Sequence, residues 1–223
     1  MYRIFALLFV VVLILTMVWH TQIRADTAAD LARSAPAELR PVIRNILRSP
    51  VHDKALRTCP ADVFPKSQSY PFGTTSCGAN PMACYKACLK GDGKACFGLA
   101  RVLEKSDSDP NKSKHADYSD FTYTLFLAAC QNGNANACTN AAATSKNGKW
   151  LRQQPDAARK FSCQMRTYTA SCEAGAAWGC YMKGSLHSRN DAGRYKSRAQ
   201  SEAAYRRACK LSPTSNACLS RYR

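Results

Sequence analysis

The sequence predicts an all-α protein: an αα-hairpin solenoid of about four disulfide-stapled repeats, preceded by an N-terminal hydrophobic segment. Four segments share one pattern, in which a small residue and Cys are followed by a short turn and a second Cys. Their leading cysteines recur at intervals of 42, 42 and 37 residues, a period typical of helical repeats. The segments are ACLKGDGKAC (87–96), ACQNGNANAC (129–138), SCEAGAAWGC (171–180) and ACKLSPTSNAC (208–218).

Length and composition limit the alternatives. The chain has 223 residues, a formal net charge of +17 and 46% hydrophobic residues. These values exclude a wholly disordered chain and a protein with many membrane spans. We divide the chain into a segment 1–24, a linker or capping region 25–80 and a repeat region 81–223.

The first 24 residues predict export. Arg3 precedes an uninterrupted apolar run at 4–19, and the segment contains no acidic residue. This arrangement is typical of a secretory signal peptide. The run is also close to the length of a membrane span, and Trp19 stands where an interfacial anchor would, so an uncleaved inner-membrane anchor is the alternative. In both cases the chain from Asp26 onward is exported, to the periplasm or beyond.

Region 25–80 carries weaker signals. Its first part is helical in pattern, with Pro41 near a helix start, and it is interpreted as a linker helix or as a cap on the first repeat. Its second part, CPADVFPKSQSYPFGTTSC (59–77), is rich in proline and has no periodicity. Such a stretch needs tethering.

Each repeat is interpreted as two antiparallel helices. Phe126, Tyr168 and Tyr205 stand four residues before a leading Cys, so ring and sulfur share one helix face. Glycine or proline in the turn ends the first helix. The hairpin brings the two cysteines together, and each bond contributes about 2.5 kcal/mol on the chain-entropy account. The predicted pairs are Cys88–Cys96, Cys130–Cys138, Cys172–Cys180 and Cys209–Cys218.

Four cysteines remain outside the repeat pattern. Cys59 and Cys77 bracket the proline-rich stretch, and a bond between them leaves Cys84 to pair with Cys163. Four cysteines allow three pairings. The sequence contains no C-x-x-C, so the spacing supports disulfides rather than a redox pair or a zinc ribbon.

Positive charge is concentrated at the C-terminal end. Residues 146–223 contain 16 Lys and Arg against 4 Asp and Glu, a net +12. A field of this sign attracts acidic proteins or anionic lipid, and export argues against nucleic acid as the natural ligand. The alternative is a solvated surface without a partner. The residues predicted to bind a partner are Arg159, Lys160, Arg166, Arg194, Arg198, Arg206 and Arg207.

The motifs of common enzymes are absent from the sequence. It has no G-x-S-x-G, P-loop or G-x-G-x-x-G, and its four histidines do not have metal-site spacing. There is also no S-x-x-K, which serine β-lactamases and penicillin-binding proteins require. We therefore expect no catalysis, no cofactor and no metal.

The repeats resemble the Sel-one-like family, which is related to tetratricopeptide repeats, in its cysteine-rich secreted bacterial form. The A-C-x-x-G turn, the trailing A/G-C and the helix aromatic carry the resemblance, which covers about residues 81–223. The units are longer than is typical, and SDSDPNKSKHADYSD and KNGKWLRQQPD replace the family's G-x-G-V connection. The resemblance implies stacked αα-hairpins that act as protein-binding scaffolds or adaptors.

The resemblance also suggests a concrete role. Periplasmic proteins of this type accompany type VI secretion phospholipase effectors and neutralise them, so an immunity protein is one expectation. An envelope scaffold or adaptor, anchored by residues 4–19, is an alternative. A β-lactamase-like or peptidoglycan-interacting enzyme is a weaker one, because the nucleophile motif is missing.

Overall fold

The computed structural model describes residues 35–65, 75–107, 118–144, 157–214 and 218. Within these ranges the chain is helical and contains no β-strand. A 3-10 helix, η1 (Asn190–Tyr195), lies between the last two α-helices. The α-helices are α1 (Arg40–Arg48), α2 (Pro50–Ala55), α3 (Pro60–Val63), α4 (Pro81–Leu89), α5 (Gly93–Asp107), α6 (Ser119–Gln131), α7 (Ala135–Thr144), α8 (Ala157–Glu173), α9 (Ala177–Ser188) and α10 (Arg198–Leu211).

Three helix pairs form antiparallel hairpins with the same turn: α4 with α5, α6 with α7, and α8 with α9. Gly91, Gly133 and Gly175 have φ angles of 93°, 86° and 88°. Glycine adopts this left-handed conformation without steric cost. In each turn the glycine N–H and the next N–H donate back to carbonyls of the preceding helix, the Schellman arrangement that ends a helix.

A disulfide crosses each of these turns, and a fourth lies at the end of α10. The bonds are the four pairs that the spacing predicts, with Cα–Cα distances of 4.7, 4.7, 4.5 and 5.2 Å in chain order. The sulfurs meet because one cysteine is in the last turn of the first helix and the other is in the first turn of the second. The helix predicted after the fourth turn lies outside the described residues, as do segment 1–24 and residues 108–117 and 145–156 of the long loops.

The predicted Cys59–Cys77 and Cys84–Cys163 bonds are wrong. Cys59 is bonded to Cys163, and Cys77 to Cys84, each with a Cα–Cα distance of 5.8 Å. Cys59 immediately precedes α3, which packs on α8, where Cys163 lies. Cys77 lies on the extended chain that leads back into α4 and therefore reaches Cys84 in its first turns. The prediction paired the cysteines at the two ends of the proline-rich stretch. It failed because the packing of α3 on α8 brings Cys59 to Cys163, which is distant in the sequence.

The core continues from the N-terminal helices into the hairpins. Leu39, Val42 and Ile43, on or just before α1, are fully buried in one cluster with Leu99 and Leu103 of α5. Pro41 occupies the first turn of α1, where a missing backbone N–H costs nothing. Region 25–80 thus contributes side chains to the same core as the first hairpins.

Successive helices of the hairpin region pack against one another, with α8 between α7 and α9, and α9 between α8 and α10. The three aromatic rings predicted to share a face with a cysteine, Phe126, Tyr168 and Tyr205, are all buried. No helix in the described parts of the chain is both long enough and apolar enough to cross a bilayer.

Candidate functional site

The seven basic residues predicted to bind a partner fall into two groups in the structure. Arg159, Lys160 and Arg166 are on α8 and Arg194 is on η1, whereas the other three are on α10. Helices α8 and α10 both pack on α9 and not extensively on each other. The sequence therefore predicts one surface where the structure contains two.

Two members of the first group, Arg166 and Arg194, lie close enough to Tyr195 to act on its phenol. Arg194 donates a hydrogen bond to the Tyr195 hydroxyl oxygen at 3.1 Å. Hydrogen bonds from Arg194 and Ser162 lower the pKa of this phenol, and the charge of Arg166 contributes in the same direction. These partners bring η1 against the first turns of α8, so that cations of both elements lie around one ring.

Two further cations belong to this surface. The Arg189 guanidinium lies 5.1 Å from the centre of the Phe161 ring, a cation–π contact. Lys196 donates a hydrogen bond to the Asn190 side chain at 3.0 Å. Our sequence-based site did not include these two residues, because nothing in their spacing relates the end of α9 to the start of α8. The α8–η1 basic surface is defined here as Arg159, Lys160, Arg166, Arg189, Arg194 and Lys196.

Local structure explains how η1 reaches α8. Gly193 has a φ of 53°, which redirects the chain within η1. The His187 Nδ1–H donates to the Tyr195 carbonyl oxygen, and the Ser197 N–H donates to the His187 carbonyl oxygen at 3.0 Å. These bonds hold the segment against the end of α9.

Helix α8 is itself held by the N-terminal region. The Cys59–Cys163 disulfide joins it to the start of α3, and the Ala61 N–H donates to the Thr167 hydroxyl at 3.2 Å. Arg166 forms an ion pair with Asp62 at 2.6 Å, although both side chains are about half exposed. An exposed pair of this kind is screened by solvent and contributes little to stability.

In the second group, a larger share of the positive charge is neutralised by a nearby carboxylate. Arg198 and Arg206 each lie one helical turn from Glu202, on opposite sides of it along α10, and approach its carboxylate at 2.8 and 3.9 Å. Arg207 is exposed and forms no ion pair with a described residue. The α10 basic surface is defined here as Arg198, Arg206 and Arg207.

A second feature is an open cleft of about 580 Å³ between α5, α6, α7 and α9, here called the helix cleft. Seven of its ten lining side chains are polar or charged, and the partly exposed Trp178 is at one side. The Trp178 Nε1–H donates to the Asn140 Oδ1 at 2.7 Å, and its ring stacks on Tyr181 with 5.4 Å between centroids. This cleft is not visible in the sequence, since its residues come from three different repeats.

The histidines within the described ranges have structural surroundings. His52 stacks on Phe121 and shares a hydrogen bond with the Thr124 hydroxyl at 2.8 Å. His187 is buried and holds η1 as described above. No group of three or more His, Cys, Asp or Glu side chains in the described part of the chain is placed to hold a metal ion.

Comparisons with known proteins provide no relative for this chain. A scan against models of protein families found no match, and searches of curated proteins and of solved structures found none either. The functional interpretation therefore depends on the residues themselves.

Proposed function

We propose that this protein is an exported, non-catalytic αα-solenoid that binds an acidic partner protein through the α8–η1 basic surface. The repeat pattern and the three hairpins with identical turns support stacked Sel-one-like units of about four repeats. Six disulfides within the described residues are compatible with an oxidising compartment.

The observation that carries this proposal is the position of Arg194 and Arg166 beside Tyr195, together with the contact of Arg189 with Phe161 of α8. Within this surface, Arg166 forms an ion pair with Asp62 of α3. Arg and aromatic side chains together, as at Arg189 on Phe161, are typical of the energetic centres of protein interfaces. Positive charge accelerates encounter with an acidic protein and disfavours basic ones.

The specific role that we propose is immunity: the protein neutralises an acidic secreted toxin, of which the type VI phospholipase effectors named by the resemblance are the leading class. A scaffold that assembles envelope proteins is the alternative, because the same surface would serve it. The two roles differ in whether the partner is toxic in the absence of this chain.

The experiment is affinity purification of the oxidised chain from its own cell envelope, followed by a toxicity assay of the partner. We compare the wild type with Arg159→Glu/Arg194→Glu and with Arg206→Glu/Arg207→Glu, which change the net charge equally but on different surfaces. We expect a stoichiometric acidic partner that the first variant loses and the second retains. Co-expression with wild type should protect cells from that partner.

Several outcomes would contradict parts of this proposal. Loss of the partner in both variants would mean that net charge, and not the α8–η1 basic surface, drives binding. A partner that is harmless when expressed alone in the periplasm would replace immunity with the scaffold role. Retention of the partner by both variants would mean that neither basic surface is part of the interface.

A further inference from the structure

We propose that the helix cleft is a binding site for a short neutral oligosaccharide, which stacks on Trp178 and is held by amide and hydroxyl groups of α6 and α7. The site is separate from the basic surfaces and does not depend on the protein partner. Its volume of about 580 Å³ is within the range of small-ligand clefts.

Trp178 is positioned as a platform. Its side chain is 38% exposed, an unusual exposure for so large an apolar group. One face of the indole is covered by Tyr181, with an angle of 12° between the rings, and the Nε1–H is bound to Asn140. Tyr181 in turn packs on Tyr205. The indole is therefore held in one orientation before any ligand arrives, which lowers the entropic cost of binding.

The polar groups of the cleft suit hydroxyl-rich ligands. The bond to Trp178 uses the amide oxygen of Asn140, so that its NH₂ group keeps its donors for a ligand. Asn136 is one helical turn earlier on α7 and also lines the cleft. Thr122 of α6 lines it too, is 2% exposed, and its Oγ1 has no hydrogen-bond partner within the described residues. A buried hydroxyl without a partner costs stability.

The charge of the cleft favours a neutral ligand. Its two charged lining residues, Arg101 and Glu104, are paired with each other on α5. Paired in this way they can donate to and accept from ligand hydroxyls without selecting a charged group. The C–H bonds on one face of a sugar ring carry a partial positive charge, which complements the negative face of an aromatic ring.

A peptide is the less favoured ligand for the same reasons. Peptide segments gain most of their affinity from apolar anchors that enter recessed pockets. In the helix cleft the largest apolar group, Trp178, is partly exposed and lies against Tyr181, and most of the other lining side chains are polar. The arrangement offers a flat surface and hydrogen bonds instead of an apolar pocket.

The test is isothermal titration calorimetry on the full oxidised chain, in a detergent without a sugar headgroup, with tri-N-acetylchitotriose and maltotriose as probes. We expect at least one trisaccharide to bind with a Kd of about 1 mM or tighter. Trp178→Ala should weaken binding by about tenfold or more, because it removes the stacking surface. Trp178→Phe should retain most of the affinity, and Asn140→Ala should weaken it by about fivefold.

Leu89→Ala is the matched control, since Leu89 is 68% exposed and does not line the cleft; this variant should bind as the wild type does. The Arg159→Glu/Arg194→Glu variant should also bind normally, so that the outcomes for sugar and protein partner stay distinguishable. The proposal is overturned if the Kd values of both trisaccharides lie well above ~1 mM, if folded Trp178→Ala binds as tightly as wild type, or if a peptide occupies the cleft and a sugar does not.

Discussion

The burial of a single residue, His52, changes the pKa of its imidazole. Its ring is stacked on Phe121, and its Nδ1 shares a hydrogen bond with the Thr124 hydroxyl. Burial lowers its pKa below the ordinary 6.5, and the nearby Asp53 opposes this only in part. The folded protein therefore favours the neutral imidazole, while the unfolded chain can still take up a proton.

This difference predicts a pH dependence of stability. Well above pH 6.5 the imidazole is neutral in both the folded and the unfolded chain, so its full contribution to the free energy of unfolding is present. As the pH falls below that value the unfolded chain binds the proton first, and the free energy of unfolding decreases until the folded pKa is reached. Chemical denaturation at pH 7.5 and pH 5.0 should show the stability difference between wild type and His52→Gln shrinking at the lower pH. A difference that is the same at both pH values would contradict it.

At the level of the helices, Gly179 allows α8 and α9 to approach each other closely. A Cβ atom on Gly179 of α9 would lie 2.6 Å from the Ser171 Cβ and 2.9 Å from the Cys172 nitrogen of α8. The disulfide of this hairpin keeps the two backbones together, so the helices cannot separate freely. Gly175, by contrast, faces open space and is needed for its positive φ.

We predict from this that Gly179→Ala destabilises the protein by about 2–3 kcal/mol, because the methyl group overpacks the α8–α9 contact. Gly175→Ala should cost about 1–2 kcal/mol, since only the left-handed backbone is strained. Urea denaturation measures both. Gly78→Ala is the control, because a Cβ there meets no atom within 4 Å and its φ is ordinary. Equal losses at all three positions would refute the packing argument.

The Cys59–Cys163 disulfide acts at the scale of the whole molecule. It spans 104 residues and joins the N-terminal helices to the helix that carries much of the α8–η1 basic surface. The Cys77–Cys84 bond spans only seven residues and joins neighbouring segments. A cross-link over a long loop removes more entropy from the unfolded chain than one over a short loop.

Replacing both Cys59 and Cys163 by Ala should therefore lower the free energy of unfolding by about 4–5 kcal/mol. Replacing both Cys77 and Cys84 should lower it by about 2.5 kcal/mol. Equilibrium unfolding in guanidinium of the oxidised variants gives the comparison, with the second variant as the control for losing a buried disulfide. If the short bond proved the more stabilising, the loop-entropy explanation would be wrong.

Much of the fold can be predicted from the sequence because its signals are local. A hairpin turn needs a glycine in the left-handed region, and a disulfide across it needs cysteines about eight residues apart. Gly133 with Cys130 and Cys138 meets both requirements within nine residues. The helical pattern and the four turn disulfides were accordingly predicted without tertiary information.

The candidate site could be predicted only in part. The excess of positive charge at the C-terminal end is visible in the sequence, but its division between α8–η1 and α10 is not. That division depends on α9 lying between the two helices, and charge counts contain no such information. Trp178, Asn140 and Thr122 come from α9, α7 and α6, and no spacing along the chain indicates that they share a cleft.

By itself the sequence determined the helical class, the hairpin turns with their disulfides, and the sign of the charge. Tertiary structure alone decided the Cys59–Cys163 and Cys77–Cys84 pairing, the contact of Arg189 with α8, and the cleft beside Trp178. The physical reason is range: turns and caps are governed by neighbours within a few residues, whereas contacts between helices depend on how distant apolar faces are buried together.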